Sequence, residues 1–155
     1  MAPESKRGAG WVWGQFALIG VIAALCIVPP RWPHATWPWL WLVGFALVLA
    51  GLAGGAWSTS TLGRSLTFFP RPLADAQLVV RGPYRFVRHP IYGAGLLLFL
   101  GLSLCRGPLV LAATACLAVF WALKARVEER HLRSRYPDYA VYAERVRYRL
   151  LPLVF

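Results

Sequence analysis

Cysteine is sparse in this sequence, and so is acid. The only cysteines, Cys26, Cys105 and Cys116, lie inside or at the ends of apolar runs, with no Cys-x-x-Cys pair and no histidine at metal-binding spacing. That excludes a disulfide framework and a Cys/His zinc site, and leaves buried, inert thiols as the reading. Asp and Glu total 6 against 17 Lys and Arg, giving a formal net charge of +11 over 155 residues. No nucleic-acid-binding motif accompanies that charge. Instead the basic residues flank apolar runs, as the positive-inside rule requires of a membrane protein, and anionic headgroups are the expected partner.

What the chain has in abundance is apolar residue, 58% of the total with a mean hydropathy of +0.52, above the roughly 45–50% of a soluble domain. Four segments read as transmembrane helices of one membrane domain covering 1–155: 11–28, 39–57, 91–105 and 108–123. The first is too long for a secretory signal and lacks a small-x-small cleavage site. Leu25 is likewise too bulky to precede a lipidated Cys26. Around Trp32, Trp37, Trp39 and Trp41 the tryptophans suit an interfacial belt; His34, among prolines, reads as a solvated loop residue. Gly51-x-x-x-Gly55 would let a second helix approach the 39–57 span. The third and fourth spans are short, ~22–24 Å at 1.5 Å per residue against a ~30 Å core, and Arg106-Gly107 joins them as a tight hairpin with Arg106 snorkelling outward. Beyond Lys124 the fourth helix should run on into water until Pro137. A short amphipathic piece from Tyr139 to Val146 follows, with Tyr139 and Tyr142 as interface anchors.

The most information-rich stretch is Arg81-Gly-Pro-Tyr-Arg-Phe-Val-Arg-His-Pro-Ile-Tyr-Gly-Ala-Gly95. It cannot lie in a bilayer, because each central arginine would cost about 2.5–3.5 kcal/mol. His89-Pro90 reads as an extended residue leading into a proline at the first position of a helix. The connection from 58 to 89 carries Arg64, Arg71, Arg81, Arg85 and Arg88 against one acid, Asp75, and is too long to be a casual loop. Of the 17 Lys and Arg, only Arg31 and Arg106 fall outside the N-terminus, this connection and the C-terminal region. Four spans with both termini cytoplasmic therefore put every chemically rich segment on one side.

A hairpin of spans three and four brings Glu128-Glu129 beside the His89 loop. Backbone N–H groups at a helix start, a histidine, arginines, glycines and two carboxylates suit a zwitterionic guest with a positive centre. Each group also has a plain structural reading. Glu128 and Glu129 could be solvated charges paired with neighbours such as Arg133, His89 could bond its own loop, and Gly93 and Gly95 could serve helix packing.

Leu62-Gly63-Arg64, Gly82 through Gly95, Glu128-Glu129, Tyr136-Pro137-Asp138-Tyr139 with Tyr142, and Arg145-Val146 together resemble the signature of the isoprenylcysteine carboxyl methyltransferase and phospholipid methyltransferase family. The resemblance covers about 58–152; Arg147 stands where that family often has proline. It implies an all-α integral-membrane enzyme that uses S-adenosylmethionine and no metal. It also implies a cofactor pocket formed from His89, Pro90, Tyr92, Gly93, Gly95, Glu128 and Glu129, with Glu129 and Arg145 as catalytic or substrate-side groups. Methyl transfer from a sulfonium is an in-line displacement in which the protein positions donor and nucleophile and excludes water. A carboxylate acceptor needs no base; an amine would need one, for which Glu129 or a tyrosine is a candidate. The expected acceptor is a lipophilic small molecule bearing a carboxylate, amine or thiol. The Ala, Leu and Arg richness suggests a bacterial cytoplasmic membrane. Two competing readings are a nicotinamide-dependent reductase similar to the sterol reductases, and a non-catalytic protein that binds anionic lipid.

Overall fold

A computed structural model of the protein describes residues 8–28, 31–33 and 37–151; His34 lies outside them. The described residues are all-helical, without strands. Five α-helices follow one another: α1 (Ala9–Leu25), α2 (Trp37–Leu62), α3 (Pro90–Arg106), α4 (Pro108–Arg135) and α5 (Tyr139–Arg145). Short 3-10 turns occupy Gly63–Ser65 and Gly82–Arg85.

Local chemistry sets the boundaries. Pro90 starts α3 directly after His89, whose φ of −125° is non-helical, because proline at the first helical position forfeits no hydrogen bond. Gly107, at φ 152°, closes α3 and opens α4; a side chain there would be strained. α4 stops at Arg135 because Tyr136, next to Pro137, is extended (φ −119°, ψ 110°), as a pre-proline residue must be. α2 runs past the expected end at 57. Its polar last turn is satisfied internally: Ser58 Oγ donates to Gly54 O at 2.6 Å and Thr61 Oγ1 to Trp57 O at 2.7 Å, so hydroxyls there do not break the helix.

By length and composition two helical stretches can cross a membrane, Pro38–Ser65 and Pro108–Arg135. α1 and α3 are apolar but have 17 residues each, ~25 Å of helix. Of the four expected spans, the second and the fourth therefore lie in helices of membrane-crossing length, the fourth because it continues to Arg135, while the first and third are apolar but shorter. Little of the α2 span is buried inside the protein, 11%, and Trp39, Leu42 and Phe45 stand exposed. Apolar surface on that scale needs an apolar surrounding.

α2 and α3 pack at backbone contact. A Cβ on Gly51 would lie 2.6 Å from Leu98 N, and one on Gly101 would collide with Gly44 O. A Cβ on Gly55 would meet Ala94 Cβ at an ordinary 4.0 Å. The close seam thus uses Gly44, Gly51 and Gly101 in place of the Gly51–Gly55 pair. Ile22, Leu96, Val110, Leu117, Trp121, Ala125 and Leu150 form the main core, so α1, α3, α4 and the C-terminal segment share it. Arg106 does not snorkel outward. It turns back and donates through Nε (2.6 Å) and Nη2 to Cys26 O, capping a carbonyl at the end of α1 that would otherwise lack a partner. Cys116 is exposed and not buried as expected.

Gly51→Leu forces a side chain into the α2–α3 backbone contact. It should lower stability by about 1–3 kcal/mol or more, read as the thermal midpoint in detergent, while Gly55→Ala stays near the parent. Equal effects at the two positions would contradict the seam.

Candidate active site

The segment after α5 folds back over the start of α3 and holds it. Arg88 N–H donates to Tyr148 O (3.0 Å) and His89 N–H to Arg149 O (2.8 Å). Arg88 Nη1 donates to Ala143 O (3.1 Å) and Val146 O (3.3 Å), and Tyr142 Oη to Tyr84 O (2.8 Å). Gly93 faces Leu150 O so closely that a Cβ would overlap it. Tyr139 and Tyr142 are accordingly buried at the centre of a second small core and are not interface anchors.

This docking brings a charged cluster together. His89 lies between the two carboxylates, Nδ1 at 3.4 Å from Glu128 Oε2 and Nε2 at 3.4 Å from Glu129 Oε1. Glu129 Oε1 also meets Arg88 Nε at 2.9 Å and Arg149 Nε at 3.3 Å. Tyr92 Oη donates to Glu128 Oε1 at 2.5 Å. Lys124, expected in water, is 1% exposed; its Nζ donates to Gln15 Oε1 (2.6 Å) and Phe68 O (2.9 Å) and stands 3.9 Å from Glu128 Oε1. Burial alone would discharge the His89 imidazole, but the Glu128 and Glu129 carboxylates facing its two nitrogens outweigh it and raise its pKa above 6.5. The histidine is an imidazolium clamped between two acids. Neither glutamate is a freely solvated charge.

Adjacent residues on a helix point about 100° apart, and the two acids face different spaces. Glu128 lines a cavity of about 370 Å³; Glu129 lines a separate one of about 540 Å³. The first is mostly apolar, walled by α1 (Phe16, Ile19), α2 (Leu62), α3 (Ile91) and the loop carrying Leu66, Phe68 and Phe69. That loop is fastened at both ends, since Tyr136 Oη donates to Ala76 O (2.6 Å) and Lys124 to Phe68 O (2.9 Å). At the polar end, His89, Tyr92 and Trp121 form a ladder of near-parallel rings, with centroids 5.7 Å and 5.2 Å apart. Among the described residues, four buried donors of residues lining the same cavity have no hydrogen-bond partner; Arg88 Nε and His89 Nε2 at least face Glu129, whereas Tyr139 Oη and Trp121 Nε1 have no acceptor at all. Burial, and then the charge of Glu129, raise the Tyr139 pKa, so the phenol stays protonated and can donate. Buried donors without acceptors are costly in a finished fold and are the expected signature of a site shaped for a ligand.

The sequence profile of the family described as phospholipid methyltransferase matches residues 39–139, which include the His89 loop and the Glu128-Glu129 pair. The chain belongs to that family. It is also similar to the cobalt-zinc-cadmium resistance protein CzcN of Cupriavidus metallidurans, with 34% identity over 130 residues, 81% of this chain and 58% of the relative. To the nickel-cobalt-cadmium resistance protein NccN of Alcaligenes xylosoxydans xylosoxydans it is 29% identical over 128 residues, 81% of this chain and 59% of the relative. The chain spans about three fifths of the length of these curated relatives. Family membership and two membrane-length apolar helices make it a membrane protein.

Among the residues that the family resemblance marks, His89, Tyr92, Glu128 and Glu129 converge on the cluster, with Pro90 setting the helix start beside them. Gly95 lines the first cavity, but its lack of a side chain serves Trp121, whose ring a Cβ would meet at 2.7 Å. Gly93 faces the C-terminal segment and is not on the cavity wall. Arg145 ends α5, is exposed, and lines neither cavity. The arginines that meet Glu129 are Arg88 and Arg149. Sequence reasoning also missed Gln15, Lys124, Trp121 and Tyr139. The available signal was Gln15, a polar residue within an apolar helix, which implies a buried partner.

Because His89 is held above its ordinary value of 6.5, its charged contacts contribute fully below pH 6.5 and are lost as pH rises through the raised value. The thermal midpoint should fall as pH is raised above 6.5 through the elevated His89 value, and His89→Gln should lower it at the acid end and flatten the decline. A parent midpoint that does not fall over that range would contradict the clamp.

Proposed function

We propose that this chain transfers a methyl group from S-adenosylmethionine to a lipophilic acceptor at the cytoplasmic face of a bacterial membrane, with four spans and both termini cytoplasmic. The observation that carries the reading is Glu128, His89 and Tyr92 meeting at the polar end of an otherwise apolar cavity.

The residues present fit the donor. Glu128, with Tyr92 holding one of its oxygens, offers a half-buried carboxylate to a positive centre. Tyr139 Oη and Trp121 Nε1 offer donors to its oxygens or ring nitrogens, and the His89–Tyr92–Trp121 ladder offers flat faces to a base. When bound, S-adenosylmethionine supplies an electrophilic methyl on a sulfonium that is already a good leaving group. The chain's own work is then positioning and exclusion of water. The loop with Phe68 and Phe69 closes one side of the cavity, and a low dielectric strengthens every charge contact inside it. Glu129 is a positioning residue in this account. Three cationic side chains share its Oε1, so it fixes His89 and the C-terminal segment and makes a poor base. For an acceptor that must lose a proton, Glu128 Oε2, shared only with His89 Nδ1, is the better base.

The acceptor enters from the apolar side, past Phe16 and Ile19 of α1. The relatives are named for cobalt, zinc, cadmium and nickel resistance. Among the described residues no three His, Cys, Asp or Glu side chains gather to hold a metal ion.

Titration calorimetry of the purified chain should show S-adenosylhomocysteine binding and no NADPH binding. Glu128→Gln should weaken the former at least about tenfold, the scale of a buried charged contact, while leaving the far-ultraviolet helix signal intact. NADPH binding without S-adenosylhomocysteine binding would favour a reductase, and binding of neither would sink the methyltransferase reading.

A further inference from the structure

The second cavity belongs to no step of the proposed reaction, and its walls are unlike those of the first. It is a groove of about 540 Å³ lined by Trp11 of α1, by Leu123, Arg126, Arg130 and Arg133 of α4, and by Arg149 of the C-terminal segment. The α4 residues extend a single stripe. Val119, Leu123, Arg126, Arg130 and Arg133 recur at steps of four, three, four and three, which keeps them on one side of a helix. The first two are 62% and 45% exposed apolar side chains; the last three are exposed guanidinium groups. An apolar surface gives way to a cationic one within a single turn, ~4.5 Å of helix rise between Leu123 and Arg126.

Charges spaced like this on one helix face repel each other, and repulsion persists unless an anion relieves it. Glu129 is the acid lining the groove, and its Oε1 is already shared by Arg88, His89 and Arg149. Arg126 and Arg130 make no ion pair among the described residues, and Arg133 lies over the Tyr139 ring at 5.7 Å. The groove therefore presents a positive surface beside a lipid-facing apolar strip, with a tryptophan of the kind that sits at headgroup level.

We propose that this groove binds one anionic phospholipid, its acyl chain along Val119 and Leu123 and its phosphate among Arg126, Arg130, Arg133 and Arg149. Guanidinium forks match phosphate oxygens in pairs, and apolar contact beside them selects a lipid over a free ion. Arg149 belongs to the segment that pins His89 through its backbone carbonyl. A headgroup shared by Arg149 and the α4 arginines would clip that segment to α4 and stabilise the folded cluster.

The test uses the full chain in a neutral detergent, with phosphatidylglycerol, phosphatidylcholine or inorganic phosphate added and the thermal midpoint recorded. Native mass spectrometry counts retained lipid. Phosphatidylglycerol should raise the midpoint by about 5 °C or more at a hundredfold excess over its Kd, with one lipid retained and the gain shrinking in high salt. Phosphatidylcholine and inorganic phosphate should do little. Arg126→Gln/Arg130→Gln should lose most of the gain, and Arg126→Lys/Arg130→Lys should keep part of it, as a point charge replaces a fork. Should the glutamine pair not fold, Arg133→Gln alone carries the comparison. An equal shift from phosphatidylcholine, a shift reproduced by inorganic phosphate, or arginine-to-glutamine variants that respond like the parent would overturn the proposal.

Discussion

A histidine held between two carboxylates organises this molecule. Bringing His89 within 3.4 Å of both Glu128 and Glu129 requires the loop before α3 and the polar end of α4 to stand side by side. The Gly107 hairpin turn makes them neighbours, and the C-terminal segment holds them there. Each constraint has a local cause. Pro90 and Gly107 fix where α3 begins and ends. The backbone bonds from Arg88 and His89 to Tyr148 and Arg149 fix the loop, and Arg88 ties that segment to Glu129 at 2.9 Å. Burying so many charges is tolerable only because they are paired and hydrogen-bonded. Removing one partner leaves the others exposed to the full desolvation cost.

The two acids divide the surroundings between them. Glu128 belongs to an apolar cavity with orphaned donors at one end; Glu129 belongs to the wall of an arginine-lined groove. One helical step separates a site suited to a reaction from a surface suited to a headgroup. In this arrangement the arginine-lined groove and His89 are joined by direct contacts through Arg149 and Glu129.

Much of this was legible in the residues. Pro90 after His89, Gly107-Pro108, and the absence of a breaker before Pro137 predict the limits of α3 and α4 to within a residue or two. The convergence of His89 with Glu128 and Glu129 follows from the hairpin they imply. The rest was hidden for physical reasons. Lys124 sits where charge resumes after an apolar run, and its burial depends on Gln15 and Phe68 O, partners more than 50 positions away. Gly93 and Gly95 read alike in sequence, yet one backs a carbonyl and the other an indole ring. Arg145, Arg147 and Arg149 are indistinguishable by type. Only the path of the chain after α5 selects Arg149 for Glu129. α2 ran beyond its apolar part because its hydroxyls found carbonyls within the helix, which composition alone does not reveal.

The central claim is that His89 and Glu128 act on one ligand as a unit. A double-mutant cycle tests it most directly, using His89→Gln, Glu128→Gln and the pair, with the affinity for S-adenosylhomocysteine measured in each. The account predicts a coupling of about 1 kcal/mol or more, as for residues in one hydrogen-bonded network. Effects that simply add, within about 0.3–0.5 kcal/mol, would show two independent groups and contradict it.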